Sequence, residues 1–327
     1  MKLFAKIFVL VFCSLFAVSQ LDAKAPLRTK KSGVKKSAAV APAKPYSPVR
    51  RAPYQGAISF DADTGRILFS DRANEIAYPA SVTKLMTLLL VVEDLYKGVY
   101  EASDKVTASW RACQEKPSIA GLKPGQQMTV DDLLFTLMVK SANDSAVALA
   151  EFSVARNANR EIEKGDLEIF IRRMNDKAKE LGMTKTNYQT PNGYPPKPGS
   201  KKPFDTSTAA DLVKLASAVI KYPLVFRYTN KKIVTVTDGA GKPLRFVNHN
   251  NILVKNKWKI LNKKGESEVD GLKTGYIDMG GSSIILTGKR RGHRAVVIVL
   301  GSDRAPMRDE NARRLMVEAL DAIAGPE

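Results

Sequence analysis

Apolar and polar positions along the chain divide it into strands near both ends and helices between them. Gly56-Ala57-Ile58-Ser59-Phe60 and Arg66-Ile67-Leu68-Phe69-Ser70 are short strand-like runs separated by the turn Asp63-Thr64-Gly65, a pattern that predicts a hairpin. Pro79-Ala80-Ser81 opens an apolar helix over 82–96, with Leu85, Leu88, Leu89 and Val92 recurring at helical spacing. Thr129-Val130-Asp131-Asp132 has the form of a capped helix start. The helix it opens extends to about Val139, breaks at Lys140-Ser141-Ala142-Asn143 and resumes over 144–154. Further helices are predicted over 167–181 and 208–221, with a Pro-, Gly- and Asn-rich loop over 185–207 between them. Strands return over 232–237, 282–287 and 294–300, the last two joined by the basic turn Lys289-Arg290-Arg291-Gly292, and an amphipathic helix closes the chain over 308–324. This order predicts an α+β fold: an antiparallel sheet built from both ends of the chain, flanked by helices and carrying a helical insertion.

Charge and the first residues add a cellular setting. The 327 residues carry 52 Lys and Arg against 33 Asp and Glu, a formal net charge of +19. That excess suggests an anionic partner: nucleic acid, a membrane surface or an acidic polymer. Lys2 and Lys6 precede an apolar run over 7–18, too short to span a bilayer of ~30 Å. Leu21-Asp22-Ala23 follows, so residues 1–23 read as a secretory signal peptide. Cys13 lies inside the run behind the large Phe12, which argues against lipid attachment. Residues 24–51 hold nine Lys or Arg, no acid and four prolines, a composition that cannot offset its ordering entropy by burial. They are expected to be a disordered basic tether ahead of a catalytic domain over 52–327. Cleavage after Ala23 leaves Cys113 as the one cysteine, so no disulfide within the chain is expected. The expected location is extracytoplasmic, periplasmic or secreted, and soluble.

Three short motifs carry the chemistry. In Ser81-Val82-Thr83-Lys84 the spacing sets Lys84 on the same helical face as Ser81. A serine hydroxyl needs a neighbouring base, and a lysine serves as one only when burial or nearby cations lower its pKa. Ser141-Ala142-Asn143 sits on the break between two helices, where a hydroxyl and an amide project into a cleft. Lys273-Thr274-Gly275 precedes the terminal strand pair, with Gly275 allowing a substrate close to the backbone. Each motif alone is common. Their order, their spacing and an apolar helix behind the serine make coincidence a poor explanation.

Together these motifs resemble the low-molecular-mass penicillin-binding proteins that act as D-alanyl-D-alanine carboxypeptidases, over residues 53–322. Pro79-Ala80-Ser81-Val82-Thr83-Lys84-Leu85-Met86-Thr87 resembles their nucleophile segment and Ser141-Ala142-Asn143-Asp144-Ser145-Ala146 their second motif. Thr190-Pro191-Asn192-Gly193 and Asp205-Thr206-Ser207-Thr208-Ala209 resemble two further landmarks. The resemblance implies the serine β-lactamase/D,D-transpeptidase fold. It implies an acyl-enzyme on Ser81, with Lys84 as base and Ser141 and Asn143 relaying protons and orienting Lys84 and the peptide. Lys273 would add positive potential, Thr274 would help hold the terminal carboxylate, and the N–H groups of Ser81 and Tyr276 would form the oxyanion hole. Arg308 falls where these enzymes keep an arginine for that carboxylate; otherwise it is an ordinary helix residue paired with Asp309 or Glu310. The implied partners are peptidoglycan stem peptides and β-lactam antibiotics, with electrostatic contact to an anionic wall or membrane surface.

Other functions fit less well. Ala142 stands where many β-lactamases have Asp, and no Glu-x-x-x-Asn segment for deacylation follows, which disfavours a β-lactamase. A D,D-endopeptidase of the same fold and a non-catalytic wall-binding or penicillin-sensing module compete with the carboxypeptidase reading. His249 and His293 lack metal-ligand spacing, no phosphate loop is present, and the basic segments lack interleaved aromatics, so neither metal, cofactor nor nucleic acid is expected. The chain stops at Glu327, short of the β-rich domain and amphipathic anchor that many membrane-bound carboxypeptidases add; both are expected to be absent.

Overall fold

The computed structural model describes residues 53–326 except 196–199 and 201–202. The signal-peptide and tether readings lie outside those residues. Strands β1 (Gly56–Asp61) and β2 (Ile67–Asp71) form the expected hairpin, followed by α1 (Lys84–Tyr96). A small hairpin, β3 (Lys105–Thr107) with β4 (Gln127–Thr129), leads into α2 (Val130–Phe135), α3 (Asn143–Asn157) and α4 (Asp166–Glu180). Next come α5 (Ala209–Val219), α6 (Leu224–Thr229), the hairpin of β5 (Ile233–Thr237) with β6 (Pro243–Val247), and the single turn α7 (Asn251–Val254). Strands β7 (Val269–Ile277), β8 (Gly281–Arg290) and β9 (His293–Ser302) and the long α8 (Ala305–Ala324) close the chain.

The main sheet has five strands in the order β2-β1-β9-β8-β7, every neighbouring pair antiparallel. The N-terminal hairpin therefore docks on the C-terminal strands, which is the α+β arrangement that the sequence pattern predicts. Strand alternation explains how both faces are buried. Val296, Ile298 and Leu300 of β9 join the helical core with α1, whereas Ala295, Val297 and Val299 join the core under α8. A strand covered on both sides has no polar face to display, so β9 reads as an uninterrupted apolar run.

The structure differs from the sequence reading at several places, the β3–β4 hairpin and α7 among them. Lys273-Thr274-Gly275 does not simply precede the terminal strand pair. It lies within β7, an edge strand paired with β8 through Lys273↔Ile285, Thr274↔Ile284 and Gly275↔Ser283. Lysine and glycine have weak strand preference, and only the ladder to β8 holds them extended. The helix expected to 139 is α2 followed by a wider π turn over Thr136–Lys140. There Thr136 Oγ1 donates to Leu133 O (2.9 Å), and Ser141 ends the turn in the left-handed region at φ 60°. Helix α8 begins at Ala305 rather than 308, because Pro306 fits the first turn of a helix. Finally, β6 and α6 were not legible: β6 is a five-residue strand that begins at Pro243 and exposes Pro243, Arg245 and Val247 on a two-stranded ribbon, and α6 is a six-residue helix behind Pro223.

Candidate active site

Ser81 sits in a tight 3-10 turn over Ala80–Thr83, and Lys84 begins α1. In such a turn positions i and i+3 eclipse, so the two side chains are brought together. Their polar atoms are 2.9 Å apart. Ala80, just before the nucleophile, holds φ at 50°, a region costly for a residue with a Cβ. The surroundings hold it there from two sides.

On one side stands the loop over 187–193. Asp205 accepts from Thr83 Oγ1 (2.9 Å), from the N–H groups of Gln189 (2.7 Å) and Thr190 (3.1 Å), and from Thr190 Oγ1 (3.2 Å). Thr87 Oγ1 donates to Pro191 O at 2.6 Å. Gly193 packs so closely that a Cβ there would lie 1.8 Å from Ala80 O. On the other side is β7: a Cβ on Gly275 would lie 2.6 Å from Pro79 O and 3.2 Å from Ser81 N. Gly275 thus admits the nucleophile turn itself against the strand, a tighter demand than the substrate approach that the sequence suggests.

Lys84 is wholly buried and makes three hydrogen bonds, to Ser81 Oγ (2.9 Å), Asn143 Oδ1 (2.7 Å) and Asn192 O (2.7 Å). Burial holds its pKa well below the ordinary lysine value, and the charge of Lys273 adds to that; Glu115, Asp205 and Asp144 oppose it. Asp205 is itself pushed up to about 6 by burial, against the pull of its donors. Asn143 opens α3, with its Nδ2 donating to Lys116 O at 3.0 Å. Ser141 is buried two residues before it, and none of the hydrogen bonds of Lys84 goes to Ser141.

Lys273 is buried on β7, its Nζ donating to Thr274 O at 3.0 Å. Burial, then the charge of Arg308, lowers its pKa to about 7. Thr274 is buried beside it and Tyr276 is exposed, its hydroxyl donating to Asp278 at 2.7 Å. The charge of Arg308 is near enough to act on Lys273, and its side chain is buried with Nε and Nη2 donating to Asp309 Oδ1 (2.9 and 2.5 Å). Asn251 donates to the other oxygen of Asp309 at 2.7 Å. Cys113 is half-buried, with its thiol pKa raised by burial and nearby Asp144 and Glu151, the opposite of an activated nucleophile.

The structure therefore joins Ser81, Lys84 and Asn143 by direct contact and sets Lys273, Thr274, Gly275 and Tyr276 along the adjoining strand. The sequence reading quotes Asn192 and Asp205 within landmark segments but gives neither a role, and it misses Glu115. Asn192 acts through a main-chain carbonyl, which leaves no trace in residue type. Glu115 lies 34 residues from Ser81 in sequence, and nothing local marks it. The arrangement offers a hydroxyl, a buried amine of lowered basicity and a cationic strand beside them, the parts of an acyl-transfer centre that binds a carboxylate.

Comparison with known proteins agrees. The sequence model of a family described as D-alanyl-D-alanine carboxypeptidase matches residues 45–304. The D-alanyl-D-alanine carboxypeptidase DacF of Bacillus subtilis is 31% identical over 262 residues, covering 80% of this chain and 61% of DacF. DacC of Escherichia coli is 30% identical over 266 residues, 79% of this chain and 59% of DacC. The chain thus spans about three-fifths of the length of these relatives. Among solved structures, penicillin-binding protein D2 of Listeria monocytogenes in its ampicillin-bound form is similar with a TM-score of 0.67 and 27% identity, over 82% of this chain and 98% of that one. A serine-to-alanine variant of the DD-transpeptidase of Streptomyces K15 gives a TM-score of 0.69 at 25% identity, with the same coverage.

Proposed function

The chain belongs to the D-alanyl-D-alanine carboxypeptidase family, and from that membership we propose that it removes the terminal D-alanine from peptidoglycan stem peptides through an acyl-enzyme on Ser81. The observation that carries this reading is the setting of Lys84. A neutral amine has two N–H donors and one lone pair. With Asn143 Oδ1 and Asn192 O taking the donors, the lone pair is left for the Ser81 hydroxyl. Burial and the charge of Lys273 lower the pKa of Lys84, which favours the neutral form.

A neutral Lys84 beside Ser81 supports acylation followed by hydrolysis. Ser81 Oγ attacks the carbonyl carbon of the penultimate D-alanine while Lys84 takes its proton. The oxyanion is held by the N–H groups of Ser81 and Tyr276. As the peptide C–N bond breaks, a proton passes to the departing D-alanine nitrogen, by way of Lys84 with Ser141 in the relay. Water then attacks the Ser81 ester, giving up a proton to the same base, and the shortened peptide leaves. Lys273 and Thr274 hold the free carboxylate. Since Asp309 already occupies one edge of the Arg308 guanidinium, Arg308 contributes its positive field to that site. A β-lactam enters by the same route, its ring amide standing in for the D-alanyl peptide bond.

The setting proposed is extracytoplasmic. Residues 1–23 serve as the signal, and the basic segment over 24–51 attracts anionic wall or membrane surfaces. Among the described residues no helix is long and apolar enough to cross a membrane. Incubation with a cell-wall pentapeptide and with cross-linked dimers tests the assignment. Free D-alanine from the pentapeptide with dimers left intact supports a carboxypeptidase; split dimers without D-alanine release would make it an endopeptidase.

A further inference from the structure

Both acceptors that orient Lys84 are themselves held by one short segment. Glu115 Oε2 accepts from Asn192 Nδ2 at 2.8 Å, and the main-chain oxygen of the same asparagine takes the N–H of Lys84. One residue on, Lys116 O accepts from Asn143 Nδ2 at 3.0 Å, which turns Oδ1 of that amide toward Lys84. Ser118 O then accepts from Asn143 N (2.7 Å), and Ser118 Oγ donates to Lys140 O (2.8 Å). Both ends of the Asn192 side chain are engaged, since its Oδ1 takes the Tyr194 N–H at 2.8 Å and its Nδ2 donates to Glu115. Residues 115–118 thus stand directly behind the first contacts of the amine. The acyl-transfer scheme gives no task to the only carboxylate among them.

We propose that Glu115 is a positioning residue for acylation: by holding the Asn192 side chain it fixes the carbonyl that sets the direction in which Lys84 presents its lone pair to Ser81. The proposal rests on the assignment of Ser81 and Lys84 as nucleophile and base. Its geometry has a separate electrostatic consequence. The charged groups acting on Lys84 are Lys273, Glu115, Asp205 and Asp144, and those acting on Glu115 are Lys84, Arg111 and Asp144. A carboxylate at 115 favours the protonated amine, so it opposes the burial that makes Lys84 a base. Glu115 fixes the direction of the lone pair while delaying, on the pH scale, the point at which that pair is free. Burial raises the pKa of Glu115 itself, with the Asn192 contact and Lys84 pulling the other way.

Two variants separate the roles. Glu115→Gln keeps an oxygen acceptor for Asn192 Nδ2 and removes the charge. Glu115→Ala removes both. Acylation of the full chain by a fluorescent penicillin is followed from acid to alkaline pH, resolving the initial complex from the acylation rate constant, with a thermal melt of each protein. Glu115→Gln should stay within roughly fivefold of the parent rate at neutral pH, with its acid limb moved to lower pH. Glu115→Ala should slow acylation by about tenfold or more while initial binding is unchanged. An alanine variant at the parent rate, or a glutamine variant with an unmoved pH profile, overturns the proposal. If the alanine variant melts early, Glu115→Met, which keeps the bulk and removes the acceptor, takes its place, and acylation at the parent rate overturns the proposal. Failure of the parent chain to acylate is a different result: it removes the assignment of Ser81 and Lys84 on which the proposal stands.

Discussion

Replacing Gly193 by alanine should damage catalysis from a position that touches no substrate. The new Cβ would lie 1.8 Å from Ala80 O, 2.4 Å from Ala80 C and 3.0 Å from Thr83 Cβ. Two of these are main-chain atoms of the turn that carries Ser81, so no side-chain rotation relieves the clash. Gly193 also holds φ at +76°, a region costing an alanine about 1 kcal/mol or somewhat more. Overpacking adds about 1–3 kcal/mol, so the fold should lose about 2–4 kcal/mol, visible as a melting point lower by several degrees. The cheapest relief is retreat of the loop, and Asn192 is the residue before. Its carbonyl would withdraw from Lys84, where it now accepts at 2.7 Å. Leaving that buried N–H of Lys84 without its acceptor costs about 1–3 kcal/mol, or roughly 5- to 150-fold in acylation. Differential scanning fluorimetry and stopped-flow acylation by a fluorescent penicillin measure both effects on one preparation. A lowered melting point with a normal acylation rate would refute the link from this loop to the base. An unchanged melting point would refute the packing itself.

Other substitutions test neighbouring parts. Lys84→Arg keeps a cation that cannot give up its proton at working pH, so acylation should fall by roughly 100-fold or more while circular dichroism shows an intact fold. Lys273, at about 7, carries its charge below that pH. Carboxylate substrates should therefore bind best below about 7 and lose affinity as pH rises through it, a trend in KM that Lys273→Arg should flatten. Because the folded-state value is depressed, the same group makes stability rise with pH from about 7 toward the ordinary lysine range, measurable by urea titration. Arg308→Ala leaves the buried Asp309 with Asn251 alone, so it should cost about 3–5 kcal/mol of stability in denaturant unfolding as well as weakening peptide turnover more than penicillin acylation.

The parts of this fold that a sequence can announce are those with a local signature. The β1–β2 hairpin has its turn residues, α1 its helical spacing of leucines, and Thr129 its cap, where Thr129 Oγ1 accepts from Asp132 N at 3.0 Å. Ser81 and Lys84 were legible because three residues of helical chain suffice to bring them together. Asn143 was legible as part of a recurrent motif on a helix break. The edge strand β7 was not, since its extended form comes from pairing with β8 rather than from its own residues. The remaining controls on Lys84 are long-range. A carbonyl 108 positions away accepts from its amine, and a carboxylate 122 positions from Thr83 clamps the nucleophile turn. Arg308 shows the same limit, because its position marks a cation near the site but not that Asp309 holds its fork.

The most direct measurement is the site of covalent attachment. Intact-protein mass spectrometry after incubation with benzylpenicillin should show one added antibiotic mass, and peptide mapping should place it on the segment containing Ser81. Ser81→Ala should show none while melting like the parent. An adduct that persists in Ser81→Ala, or that maps to Ser141 or Cys113, would contradict the assignment of the nucleophile and with it the acyl-transfer scheme.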